Sequence, residues 1–312
     1  MPSPERSHDL RVAVLAGGSS GERAVSLEGG AAVARALAES GCTTVLLDPA
    51  APDFVARLLE ARVRVVFVLV HGRGGEDGSL QGLLEFLGLP YTGCGVLASA
   101  LGFDKMRSKW IWNAHALPVP AGVALVRGDP LPRPEALRGP WCVKPAAEGS
   151  SLGVSRVDAP EDLPEALERA WGFGPVALVE EWLEGEELTV SLLGDRALPA
   201  VRIRPRRPFY DYVAKYEDAG TEYFCPAGLG TALEKELGTL ARRASALLGG
   251  RGWGRVDFRL DRDGRPRLLE LNTVPGMTTH SLFPMAARAA GLDFTGLCRA
   301  VLDEALARDA GD

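Results

Sequence analysis

The sequence predicts an α/β domain followed by two α+β units, and three observations predict it. Strand and helix patterns alternate through the first third. From residue 141 short strand-like segments enclose a single helix. An Asp-Gly hairpin then lies between two helical segments near the end. With 312 residues, 46% of them hydrophobic and 24% charged, the chain is long enough for two or three compact units with real cores.

In the first unit, "RVAVLAGG" reads as a strand and "AVSLEGGAAVARALAESG" as a helix closed by Gly41. The strands "TTVLLD" and "ARVRVVFVLVHG" follow, then the helix "SLQGLLEFLG". Strands separated by helices pair in parallel. After a helical stretch, a Pro-rich crossing occupies residues 118–140. The second unit holds "WCVKP", "LGVSRV", the helix "PEDLPEALERAWG" and "PVALVEEWL". The third has a long polar and aromatic segment, the helix "ALEKELGTLARRASALLG", a hairpin and a terminal helix. We place boundaries near residues 101 and 184, giving units at 1–101, 102–184 and 185–312.

A net charge of −6 provides no basic stripe for nucleic acid or an anionic membrane. The longest apolar run, "VRVVFVLV", is far short of the roughly 20 residues of a membrane span. The N-terminus "MPSPERSHDL" is polar and lacks a signal-peptide core. Five scattered cysteines without CxxC spacing read as buried apolar residues in a reducing, cytoplasmic setting.

In "GRVDFRLDRDGRPRLLELN", Asp263-Gly264 is the favoured pair for a two-residue type I′ turn. Residues 262 and 265 would then pair, Asp257 would face Glu270, and Arg255 would face Asn272. Glu270 and Asn272 share a strand face, with Leu269 and Leu271 on the other. Two carboxylates about 4 Å apart repel by about 4 kcal/mol at an effective dielectric of 20. A hard cation such as Mg²⁺ reverses that sign, and an amide oxygen is a fitting extra ligand. A solvated face with Arg255 and Arg259 neutralising the acids explains the same residues.

"VKPAAEGSSLGVS" sets Lys144 at a strand end before Glu148-Gly149-Ser150-Ser151. Small residues there let backbone N–H groups approach a polyphosphate, although a plain turn has the same composition and no Walker pattern is present. "ALVEEWLEGEELTV" offers a strand edge with Glu180, Trp182, Leu183 and Glu187, either an adenine and ribose site or an acidic loop. Residues 204–228 are too aromatic for disorder and long for a connection. That favours a lid carrying Lys215 toward a phosphate, over a packed surface loop.

"AVLAGGSSGERAVS" is a strand, glycine turn and helix start, but lacks the G-x-G-x-x-G dinucleotide fingerprint. A helix N-terminus suits a carboxylate and Glu22 an ammonium, so an amino acid would satisfy both. His71 ends the next strand beside a second glycine turn, as a structural hydrogen bonder or a site residue.

The order of these motifs is more specific than any one of them. "GGSSGERAVSL", "LVHGRGGEDGSLQGLLEFLGLPYTGCGVLASALGFDKMRSK", "VKPAAEGSSLGVS", "FYDYVAKY", "YFCPAGL" and "GWGRVDFRLD…LLELNTVPGMTTHSLFPMAA" together resemble the D-alanine–D-alanine ligases, from about residue 12 to about residue 302. The resemblance implies an ATP-grasp fold, with ATP between two α+β subdomains and an N-terminal α/β domain completing the amino-acid site. It implies that ATP phosphorylates one D-alanine carboxylate and that a second D-alanine amine attacks the acyl phosphate, releasing ADP and phosphate. The product is a peptidoglycan precursor.

Carried over by motif, the resemblance puts Glu22 on the first D-alanine's ammonium, with Ser150 and Tyr216 linking it to the lid and His71 alongside. Lys105, Lys144, Ser151 and Lys215 would bind ATP phosphates. Glu180 with Trp182 and Leu183 would take adenine, and Glu187 ribose. Asp257, Glu270 and Asn272 would bind a pair of Mg²⁺ ions, for which Mn²⁺ is an alternative. Arg255 and the Gly276 N–H would stabilise the oxyanion, and Ser281 with the Leu282 N–H would hold the second D-alanine's carboxylate. A homodimer is implied as well.

Three positions depart from the family pattern: Ala24, Ala147, and Glu181 where Lys is frequent. The rival readings are a D-alanine–D-lactate ligase, another ATP-grasp carboxylate–amine ligase, and a non-catalytic regulator that binds ATP or an amino acid. Tyr216 favours the dipeptide-forming type by resemblance, and the intact Arg255, Asp257, Glu270 and Asn272 weigh against a mere binder. A nicotinamide-dependent oxidoreductase lacks its glycine fingerprint.

Overall fold

Strands β1 (Arg11–Leu15), β2 (Thr43–Leu47) and β3 (Val65–Val68) form a parallel sheet in the order β2-β1-β3. The computed structural model describes residues 10–130, 139–205 and 220–309. β3 is buried throughout and β1 from Val12 onward, which is why both read as continuous apolar runs. Helices α1 (Arg23–Glu39) and α2 (Phe54–Glu60) make the crossovers. α2 was not foreseen, because seven residues are too few for a helical period to show. Helices α3 (Ser79–Phe86), α4 (Val96–Phe103) and α5 (Lys105–Ala114) follow.

The second sheet is antiparallel, in the order β4-β7-β5-β6: β4 (Gly122–Val126), β5 (Trp141–Pro145), β6 (Ser155–Val157) and β7 (Val176–Glu181). β4 lies inside the expected Pro-rich crossing, and its pairing with β7 supplies the order that its short sequence does not. Helix α6 (Leu163–Trp171) packs Ala166, Leu167 and Ala170 on this sheet.

The third sheet runs β11-β10-β8-β12-β13, with β9 beside β8. Its members are β8 (Glu187–Leu193), β9 (Arg196–Ala197), β10 (Val201–Arg204), β11 (Glu222–Phe224), β12 (Trp253–Leu260) and β13 (Pro266–Asn272). Helix α7 (Thr231–Leu247) covers it, and Trp112 of α5 joins that core, donating its indole N–H to the Ala244 carbonyl at 2.9 Å.

Helices α8 (Leu282–Ala289) and α9 (Phe294–Asp309) return to the first sheet. Trp253, 2% exposed, meets Phe67 at 5.7 Å and Phe283 edge-on at 5.3 Å. Truncating such a buried indole costs about 3–5 kcal/mol. This contact fixes β12, and the charged face it carries, against the end of the first sheet.

The hairpin differs from expectation in two ways that cancel. Its turn holds one more residue: Asp261 N–H donates to the Arg265 carbonyl and Gly264 N–H to the Asp261 carbonyl, with Gly264 at φ +75°. That is a three-residue loop built on a type I turn, whose last residue needs the left-handed region. A shift between Asp257 and Phe258 then restores the register, so Asp257 faces Glu270 and Arg255 faces Asn272 as expected. The extra residue there turns Leu269 onto the same cleft as Glu270, not the opposite face.

Candidate functional site

The charged face of β12 and β13 opens onto two adjoining clefts of about 870 and about 2160 Å³, open solvent included. The smaller lies between the second and third sheets, and the larger reaches the N-terminal domain. Lys105, Glu148, Gly149, Glu187, Asp257 and Glu270 line both, so the clefts meet at the hairpin carboxylates.

Two lysines reach the small cleft by different routes. Lys105 begins α5, pairs with Glu270 at 3.0 Å and donates to the Glu148 carbonyl. Lys144, near the end of β5, pairs at 2.8 Å with Glu180, whose other oxygen is held by Lys109. Burial alone would raise the Glu180 carboxyl, but Lys109 and Lys144 outweigh it and hold the group down at about 2. Burial dominates at Lys109 and pushes it down to about 8 despite Glu180, with Lys144 adding repulsion. At Lys144 the attraction of Glu180 overcomes burial and the group stays protonated. Both Glu180 oxygens are thus paired with lysines at the wall of the small cleft. Lys109 was missed, although it sits four residues from Lys105 on the same helix face.

The loop after Lys144 curls tightly. Ser150 and Ser151 have φ of +51° and +58°, a conformation costly for side chains bearing a Cβ and concentrated at ligand clamps. Ser150 Oγ donates to Glu22 Oε1 at 2.5 Å, joining the loop to the start of α1. A Cβ on Gly149 would lie 2.8 Å from the other Glu22 oxygen, so the loop closes tightly on that carboxylate. Ser151 lines the small cleft and Ser150 the large one.

Trp182, Leu183 and Glu187 line the small cleft with Cys142 and Leu269. Glu181 takes the Ala121 N–H on its side chain at 3.0 Å and donates its own N–H to the Ala121 carbonyl. The position that departs from the family pattern therefore closes the hinge strand.

In the large cleft, His71 is 5% exposed and its Nδ1 lies 3.0 Å from the Val274 carbonyl. A carbonyl only accepts, so Nδ1 carries the proton. Burial holds the imidazole below the usual histidine range against the pull of Glu22, leaving Nε2 an acceptor without a partner among the described residues. His71 is thus both a structural hydrogen bonder and a residue of the site.

Glu76, also missed, lies in the glycine turn that follows His71 and accepts from the Gly72 N–H at 2.7 Å. Burial, reinforced by the Glu22 charge, pushes its carboxyl up to about 8. Between 4.5, its ordinary value, and about 8 the folded chain keeps a proton that the unfolded chain has lost. Stability therefore falls as pH rises through that window. Glu76→Gln should flatten the fall, measured as urea midpoints across the window; an unchanged slope would mean that Glu76 is charged in the fold.

Arg255 grips Asp257 with two hydrogen bonds of 2.8 Å, and Thr189 Oγ1 and Asn272 Nδ2 donate to the same carboxylate at 2.6 and 3.1 Å. Glu270 faces Asp257 in register. Among the described residues no group of three or more His, Cys, Asp or Glu forms a metal cage. Two carboxylates and an amide fit Mg²⁺ that takes its remaining ligands from substrate phosphates and water. Gly276, Ser281 and Leu282 line the same cleft, the last two at the start of α8. Every described residue selected from the sequence therefore borders one of the two clefts; Lys215 and Tyr216 lie outside the described residues.

The glycine turn after β1 is closed by the protein itself. Gly17 N–H donates to Ser26 Oγ at 2.8 Å, Gly18 N–H to Asp48 at 2.9 Å, and Arg23 pairs with Asp48. Asp48, which a dinucleotide fold would offer to a ribose, is occupied.

Two α+β sheets on either side of a lysine-lined cleft, beside an α/β domain, define an ATP-grasp fold. Family models described as D-ala D-ala ligase N-terminus and C-terminus match residues 46–94 and 111–303. The D-alanine–D-alanine ligase of Halorhodospira halophila is 51% identical over 98% of this chain and 99% of its own. That of Alcanivorax borkumensis is 52% identical over 96% and 95%. Two crystal structures of the Bacillus anthracis ligase each cover 97% of this chain and 99% of their own. One superposes with a TM-score of 0.87 at 31% identity, and the other, complexed with ATP, with 0.86 at 28%. The chain belongs to the D-alanine–D-alanine ligase family.

Proposed function

We propose that this chain joins two D-alanine molecules at the expense of ATP, through an acyl phosphate, for peptidoglycan precursor synthesis in the cytoplasm. The observation that carries the reading is the meeting of the two clefts at Lys105, Asp257 and Glu270. Relatives named as such ligases at about half identity along the whole chain support it. Among the described residues no helix is long and apolar enough to cross a membrane. The units at 1–101, 102–184 and 185–312 give the amino-acid domain and the two ATP-grasp subdomains, and the chain works as a homodimer.

The small cleft takes ATP, with adenine at Glu180, Trp182 and Leu183, ribose at Glu187, and phosphates at Lys105, Lys144, Ser151 and Lys215. Asp257, Glu270 and Asn272 hold Mg²⁺, which when bound neutralises phosphate charge. The first D-alanine sits in the large cleft with its ammonium at Glu22, flanked by His71 and closed in by Ser150 and Tyr216. Its carboxylate oxygen attacks the γ-phosphorus, and ADP leaves. Ser281 and the Leu282 N–H hold the second D-alanine's carboxylate, a suitable anion for a helix start. Its amine attacks the acyl carbon; Arg255 and the Gly276 N–H meet the oxyanion, and phosphate leaves.

The test is ADP release with Mg²⁺-ATP and D-alanine, L-alanine, or D-alanine plus D-lactate, with the product weighed by mass spectrometry. Release that needs D-alanine and yields the dipeptide is expected. A depsipeptide product, or ATP binding without turnover, would overturn the reading.

A further inference from the structure

Three arginines stand on the cleft face of the hairpin, and one of them lacks a counter-ion among the described residues. Arg255 is committed to Asp257 and Arg267 to Asp261. Arg259 has no ion pair among the described residues, and it faces Arg267 across the hairpin. Like charges in facing positions are unfavourable, so an apolar residue would serve this strand better than an unpaired guanidinium. The expectation that Arg259 neutralises the hairpin acids is not met: Arg255 and Lys105 do that.

What holds Arg259 is specific. Its Nε donates to the Gly185 carbonyl at 3.1 Å, and its guanidinium carbon lies 4.8 Å from the Trp182 ring centre. One edge of the fork is thereby pinned to the segment between hinge and β8, leaving both terminal NH₂ groups without a hydrogen-bond partner among the described residues. On its other neighbour, β8, Arg259 faces Glu187 in register, and both line the small cleft. A carboxylate and a guanidinium set side by side, one accepting only and the other donating only, match a hydroxyl that donates and accepts.

We propose that Arg259 is a ribose-binding residue of the nucleotide site, donating to a ribose hydroxyl oxygen whose proton goes to Glu187. The inference rests on the small cleft being the ATP site. It makes Arg259, together with Glu187, the group that tells ribonucleotides from deoxyribonucleotides.

The test compares wild type, Arg259→Met and Arg259→Lys with ATP, 2′-deoxy-ATP and 3′-deoxy-ATP. KM, kcat and the direct binding of each nucleotide without D-alanine are measured. Arg259→Met should raise both KM and Kd for ATP about tenfold, the scale of one hydrogen bond to a charged group. The change in kcat and in the D-alanine KM should be less than about twofold. The variant should also lose most of the wild-type preference for ATP over at least one deoxynucleotide, and Arg259→Lys should recover part of it. An unchanged ATP affinity would overturn the assignment. So would equal weakening for all three nucleotides, which would mean that Arg259 only supports Trp182. Direct binding separates the two readings, since ribose discrimination by a protein without D-alanine turnover would sink the ligase and leave this site standing.

Discussion

Glu270→Gln should lower kcat by about 10³-fold, the upper end for removing one electrostatic group from a reaction centre. Glu270 faces Asp257 in register and pairs with Lys105 at 3.0 Å, at the junction of the two clefts. The amide keeps the shape but loses the charge that anchors Lys105 and that a divalent cation would need. Its side chain is a quarter exposed, so the loss should be catalytic and not structural. Initial rates against Mg²⁺ concentration, alongside thermal unfolding, provide the check. Turnover with an unchanged Mg²⁺ midpoint would falsify the assignment of Glu270 to the metal.

The largest loss of stability is expected from Glu180→Gln. Glu180 is 3% exposed and bonded to Lys109 and Lys144, which are themselves buried. Neutralising it leaves buried cations facing each other, and breaking such a cluster costs about 3–5 kcal/mol. The pH profile supplies a second reading. A carboxyl held at about 2 in the fold and at 4.5 outside it stabilises fully above 4.5, and that contribution is lost as pH falls toward 2. The variant should therefore be less stable at neutral pH and show a flatter acid limb. Urea unfolding between about pH 2.5 and 7 reads both, and a loss under about 1 kcal/mol would mean that the lysines find water. ATP affinity should fall as well, since Lys144 loses its anchor.

Much of this site was legible because its motifs are local. Lys144 and the serines after it, the hinge from Glu180 to Glu187, and the alternating acids of β12 and β13 each lie in one short stretch. Strand periodicity fixes which of those residues share a face. The hairpin marks the limit: the sequence predicts a turn one residue shorter than the one that forms, and only the shift after Asp257 sets the carboxylates opposite each other. A shift of this kind leaves little trace in composition, since Leu269 looks like any core residue until the strand turns it into the cleft. β4 went unread because five residues between prolines carry little pattern, and its order comes from β7.

By itself the sequence determined the alternation of elements, the parallel first sheet and the residue types on each loop that borders the clefts, because backbone geometry and solvent exposure act on neighbours in the chain. Tertiary structure alone decided the pairings. Ser150 meets Glu22 from 128 residues away, and Glu180 gathers Lys109 from 71 away. Among the described residues Arg259 is left without an acid while Arg255 and Lys105 take the carboxylates. Charge and burial balance only once all the partners are in place, so the state of each ionisable group belongs to the folded site and not to the segment that carries it.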